Sequence, residues 1–114
     1  MATTFLGTFG DNSNRAMTLL SSGSQIYSYG SCLTYALQNS FTYFALQGIG
    51  TGPGNAQCLV SNNIVQATQY GTTTNGAGTV SYVTSVDGKV YGQSWSNAIY
   101  MITNPCEAKL PQAD

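Results

Sequence analysis

Ser28-Tyr-Gly-Ser-Cys-Leu-Thr-Tyr-Ala-Leu-Gln-Asn39, followed after Ser40 by Phe41-Thr-Tyr-Phe-Ala-Leu-Gln47, contains the change of period on which the fold turns. In the first part Tyr29, Cys32, Leu33, Ala36 and Leu37 recur at i, i+3, i+4, i+7 and i+8, a single helical stripe. Ser28 stands directly before it as an N-cap, a residue type whose hydroxyl accepts from the free N–H groups of the first turn. Asn39-Ser40 closes it. The spacing predicts a helix over 28–39 despite Gly30, which costs about 1 kcal/mol relative to Ala.

Downstream of this helix the pattern is that of β-structure. Phe41 to Gln47 is aromatic-rich, and 48–55 holds four Gly and one Pro, a loop. Ala56 to Val60 reads as a short strand and 72–78 as another loop. Thr79 to Thr84 alternates, and Val86-Asp87-Gly88-Lys89-Val90 is a hairpin signal, because Asp-Gly supplies positive φ at little steric cost. Asn97 to Ile102 is a last strand. Upstream, 4–9 reads as a strand ending in the polar turn Asp11-Asn12-Ser13-Asn14, and Arg15 to Leu20 as a second extended segment. Ser21 to Gln25 is loop-like. One helix among such strands gives an α+β domain with a mostly antiparallel sheet. No repeat or linker divides 1–114, so one domain is expected.

Of the 114 residues only 6% are charged, with three basic, four acidic and no His, for a net charge of −1. Neutral polar side chains replace them: 14 Thr, 12 Ser, 9 Asn and 8 Gln, beside 8 Tyr. Such a surface has little field to steer nucleic acid or an anionic membrane. It suits binding to neutral polymers such as glycans, or packing against copies of itself. No window reaches the roughly 18 apolar residues of a membrane span, so no membrane insertion is expected. The start Met-Ala-Thr-Thr-Phe-Leu-Gly lacks the charged n-region and apolar run of a signal peptide. An excised or mature domain, or a component released with a virion, would account for it.

The inventory for catalysis is nearly empty. Without His there is no ordinary Ser-His or Cys-His pair. Of the carboxylates, Asp87 is used by a turn and Glu107 and Asp114 sit near the end, which leaves no evident acid/base pair. No catalytic residue, metal or cofactor is expected. Cys32, Cys58 and Cys106 are three, so at least one is free or bonded to another chain.

Several segments, taken in order, resemble WSC-type domains. Phe5-Leu6-Gly7-Thr8-Phe9 through Asp11 and Arg15-Ala16-Met17 is similar to their opening, and the capped helix with Cys32 to their next element. Phe41 to Gln47 resembles their Gly-Tyr-x-Phe-x-Leu-Gln strand, and Asn55-Ala56-Gln57-Cys58 falls where the second hairpin cysteine stands. Ala67 to Gly71 and Gly92 to Tyr100 look like a variant of the later segments ending in Trp-Ala-Asn-Asp-Val-Tyr. The resemblance covers about 5–102. It implies a PAN/apple-like fold, one helix on a curved antiparallel sheet, and a non-catalytic role in carbohydrate binding or adhesion outside the cell.

The resemblance also implies a Cys32–Cys58 disulfide. Thr8 and Asn75-Gly76 stand where two further family cysteines would fall, so one whole bridge is absent if those two pair. Cys106 has no counterpart, and links subunits or is a buried thiol. Ala98 replaces an Asp of the motif.

The candidate ligand-binding residues are Tyr70, Tyr82, Tyr91, Trp95 and Asn97. Tyr70, Tyr82 and Tyr91 lie in polar, Gly-rich surroundings and would form an aromatic platform, unless they pack across strands. Trp95 would stack on a sugar ring. As a lone Trp in a small domain it more often fills the core. Asp11 and Arg15 form either a structural ion pair or a ligand-facing one, and Tyr27, Tyr29 and Tyr35 line the core edge. The expected partner is a neutral glycan or cell-wall polysaccharide, at a cell, matrix or virion surface. The other reading is a homo-oligomeric or filament-forming structural subunit.

Overall fold

The computed structural model describes residues 2–48, 53–75, 79–80 and 82–103, without the side chains of 74, 75, 79 and 80. The main sheet is built from β1 (Ala2–Gly10), β2 (Thr18–Leu19), β3 (Tyr43–Gln47) and β4 (Gln57–Ser61), together with a late strand, Ser96–Thr103. Between them lie the helices α1 (Tyr29–Gln38) and α2 (Ile64–Ala67). Two small hairpins follow: β5 (Thr74–Asn75) with β6 (Thr79–Val80), and β7 (Tyr82–Thr84) with β8 (Val90–Gly92). The late strand is β9. The five-stranded sheet has the order β1-β9-β3-β4-β2 with every neighbour antiparallel. The last strand therefore fills the centre, between the first and the third.

The expected α+β class holds, with a mostly antiparallel sheet that does not close on itself. The single helix is corrected to two. Ile64–Ala67 is one turn, capped by Asn63, whose side chain accepts from Gln66 N–H at 3.0 Å; a turn this short leaves no periodic stripe to read. Among the described residues no helix is long and apolar enough to cross a membrane.

Strand alternation gives the sheet two faces. One carries Phe44, Leu46, Cys58, Val60, Ala98, Tyr100 and Ile102, covered by α1 and by Tyr91. The helical stripe meets this face as spaced: Cys32 and Ala36 are fully buried, with Tyr29, Leu33 and Leu37 at the margin. Ser28 is the N-cap, in a reciprocal box with Ser31. The rings of Phe44 and Tyr100, directly opposite on β3 and β9, stack at 5.2 Å, and Tyr29 meets both edge-on. A disulfide joins Cys32 on α1 to Cys58 on β4, with Cα atoms 5.5 Å apart. Cys106 lies outside the described residues.

The β7–β8 hairpin turns at Asp87-Gly88, with Gly88 at φ 76°, and packs beside α1. Tyr91, 1% exposed, donates from its hydroxyl to Asp87 at 2.6 Å and accepts from Tyr29 N–H at 2.9 Å, fastening hairpin to helix. The Tyr100 hydroxyl accepts from Val90 N–H and donates to Val90 C=O, both at 2.9 Å. Burial pushes the Tyr100 hydroxyl up to about 12. Tyr91 also rises, first through burial and then through its hydrogen bond to Asp87.

Unfolded tyrosines titrate at about 10. The folded values lie above this, so the stabilisation is complete below about pH 10 and is lost as pH climbs through the folded values. Alkaline titration should therefore show a late, cooperative step in tyrosinate absorbance that coincides with loss of near-ultraviolet circular dichroism. Titration of Tyr91 and Tyr100 near pH 10, with the fold intact, would contradict this packing.

Candidate functional site

The opposite face of the sheet carries Ala45, Leu59 and Ile99 at its centre, covered by Ala16 and Met17 and by Ala67 of α2. At one end of this face the apolar strands finish in polar residues. Gln47 of β3 pairs in register with Gln57 of β4, and Asn97 of β9 is buried beside Gln47. Here the chain builds an open groove of about 180 Å³, lined by Arg15, Gln25, Gln47, Gly48, Gln57, Ser94 and Trp95.

The turn that presents Trp95 is tight. Ser96 N–H bonds to Gln93 C=O at 3.0 Å, and Trp95, third in the turn, sits at φ 56°. A left-handed conformation is uncommon for a bulky residue, and in such a turn this is the position where Gly is usual. The Trp95 carbonyl accepts from Asp11 N–H at 3.1 Å, which fixes the turn to the end of β1. Trp95 is 47% exposed, so the core reading of Trp95 is corrected: the lone Trp stands at the surface. The Arg15 guanidinium lies over its ring, 4.8 Å from the centroid.

Arg15 is held from below. The Asp11 carboxylate, its side chain without solvent exposure, accepts from Arg15 Nη1 at 2.7 Å, from Gln47 Nε2 at 2.9 Å and from Ala16 N–H at 3.0 Å. Gln47 Nε2 also donates to Asn97 Oδ1 at 2.6 Å, and Gln47 Oε1 accepts from Arg15 at 3.3 Å. Asn97 is fully buried, and its Nδ2 has no hydrogen-bond partner among the described residues. Gln57 is set by donating to Gly23 C=O at 3.0 Å. The ion pair cancels charge locally, so the groove offers amides, a hydroxyl, a guanidinium and an indole, but little net charge. Amides, a hydroxyl and a guanidinium can donate to hydroxyl and carbonyl oxygens, and the amide oxygens can accept.

The five expected ligand residues are separated. Trp95 is in the groove. Asn97 lies behind it and is corrected from a ligand contact to a support for Gln47. Tyr70 is 37% exposed and donates to Asn14 C=O at 2.7 Å, bracing the loop that carries Arg15. Tyr82 is part-buried on the other face of the sheet, edge-on to Phe5 at 6.5 Å. Tyr91 is corrected in the same way as Asn97, since a ring 1% exposed has no face for a ligand. The sequence reading missed Gln25, Gln47, Gln57 and Ser94. A polar amide at the end of each of two adjacent apolar strands was the available signal. Among the described residues no cluster of His, Cys, Asp and Glu could hold a metal.

No protein-family model, curated protein or solved structure matches the chain.

Proposed function

We propose that this domain is a non-catalytic module that binds a neutral glycan in the groove beside Trp95. The observation that carries the reading is the half-exposed indole held at positive φ next to paired glutamines. Backbone strain of this kind costs about 1–3 kcal/mol and persists where surrounding structure enforces it, often at ligand sites. An apolar ring face takes the C–H surface of a sugar, and the amides of Gln25, Gln47 and Gln57 with Ser94 Oγ take its hydroxyls. Asp11 neutralises Arg15 and so removes a preference for acidic ligands.

The WSC-type resemblance, with the PAN/apple-like arrangement it implies, adds to this reading on the residues quoted above. The Cys32–Cys58 disulfide suits an oxidising setting, such as a cell, matrix or virion surface.

A second reading, a self-assembling structural subunit, has its own observation. Strand β1 is a sheet edge, and Ala2 to Gly10 contains no charged residue. Among the described residues its outer backbone groups are hydrogen-bonded near Thr8 to Gly10, to Gly71 and Thr73. An uncharged edge strand is a template for pairing with another copy.

A neutral-glycan array, run on material sized by light scattering under non-reducing conditions, separates the two. The glycan reading expects a monomer that binds, with affinity falling roughly 30-fold in Trp95→Ala, as for an aromatic anchor worth about 2 kcal/mol. Filaments or large oligomers with no glycan signal would favour the structural subunit, and binding indifferent to Trp95→Ala would remove the groove from consideration.

A further inference from the structure

A second depression, of about 300 Å³, lies between the segment 15–19, which ends in β2, and the residues Ser61 of β4 and Gln66 of α2. Thr18, Leu19, Ser61 and Gln66 line it together with Ala16 and Met17, and the Arg15 side chain lines both this depression and the Trp95 groove. Resting on the glycan reading of that groove, we infer that the ligand is an extended polysaccharide chain running from Trp95 across Arg15 into this depression, not a single terminal sugar.

Three features carry the inference. The first is size. Sites that enclose a small molecule occupy about 300–1,000 Å³, and the two open depressions sit below and at the lower limit of that range. Neither by itself encloses a ligand of that class, whereas a chain lying through both contacts the two linings and the guanidinium they share.

The second is chemistry. Apart from Arg15, both linings are uncharged, and both offer hydroxyl and amide groups: Ser94 with Gln25 and Gln57 in one, Thr18 and Ser61 with Gln66 in the other. A repeating neutral polymer presents the same hydroxyls to each. The third is the bridge. Arg15 Nη1 is engaged by Asp11 and Gln47. Guanidinium has five N–H donors, and among the described residues the others have no partner, so they suit hydroxyl or ring oxygens of a sugar passing over them.

The test is affinity against chain length, by isothermal titration of the intact protein with mono- to hexasaccharide ladders of cellulose, laminarin and chitin. At least one ladder should gain affinity by roughly tenfold or more between its short and long members. Gln66→Ala alters an exposed side chain that makes no described hydrogen bond, and Thr18→Ala a side chain of the same kind. The two together should remove most of that gain. Trp95→Ala should weaken every length. Short members that bind as tightly as long ones, or a length gain untouched by Gln66→Ala with Thr18→Ala, would overturn the two-depression track and leave the Trp95 groove standing. No binding by any member of the three ladders would overturn the track and the glycan reading together.

Discussion

Gly92→Ala should destabilise the domain by about 3 kcal/mol or more, at the upper end of what an over-packed site costs, and lower Tm by roughly 15 °C. A methyl group on Gly92 would overlap the carbonyl oxygen of Ser96 and come within 2.8 Å of the Ser96 carbonyl carbon and 2.9 Å of the Leu46 carbonyl oxygen. All three atoms are backbone, so no side chain can swing aside. Relief requires β8 to part from the sheet, which breaks the bond from Gly48 N–H to Gly92 C=O at 3.1 Å. The damage also reaches the groove, because Gly92 and Ser96 flank the turn that holds up Trp95 and Gly48 lies in the groove wall. Thermal melts followed by near-ultraviolet circular dichroism measure the effect. A variant melting within a few degrees of the parent would show that the hairpin is not seated this closely.

Replacing both Cys32 and Cys58 with Ala should cost roughly 3 kcal/mol from chain entropy alone, since the bridge spans 26 residues. Both sulfurs are fully buried, and their loss removes packing between α1 and β4 as well. A domain of this size has about 5–15 kcal/mol in all, so the loss is a large share. Urea titration gives a signature that a packing defect would not: without the cross-link the unfolded chain expands, and the m-value should rise while the midpoint falls. An unchanged midpoint would mean that the bridge ties together parts already held by the core.

Both effects arise from elements whose existence was legible in the chain; the Cys32–Cys58 pairing followed from the resemblance, whereas the close seat of Gly92 did not. The α1 stripe, the Ser28 cap and the Asp87-Gly88 turn depend on residues within four positions of one another, and each was found where the spacing put it. Strand identities were legible by the same local logic, although β1 runs longer than the expected 4–9 and 15–20 yields only Thr18–Leu19 as strand. Ser21 and Ser22, read as loop, form a left-handed 3-10 turn.

The tyrosines show the limit. Tyr70, Tyr82 and Tyr91 stand in similar polar surroundings in the sequence, yet Tyr91 is buried, Tyr82 is part-buried and Tyr70 is exposed. What separates them is the segment that folds over each: Tyr91 is sealed by Tyr29 from 62 residues away.

The candidate site lies beyond local reading for the same reason. Its side chains come from positions 15, 25, 47, 57, 94 and 95, gathered because β3 lies between β9 and β4 in one register. Pairing of that kind is a choice among many strand orders of similar local quality, and only the combined burial of both sheet faces selects one. By itself, then, the sequence determined the class of fold, the helix with its cap, the hairpin turn and the low-charge surface, all properties of composition or of near neighbours. The tertiary structure alone decided the placement of β9 at the sheet centre, the burial of Tyr91 and Asn97, and the exposure of Trp95 above a neutralised Arg15. Each of these depends on contacts between distant segments, whose energies no short window of sequence contains.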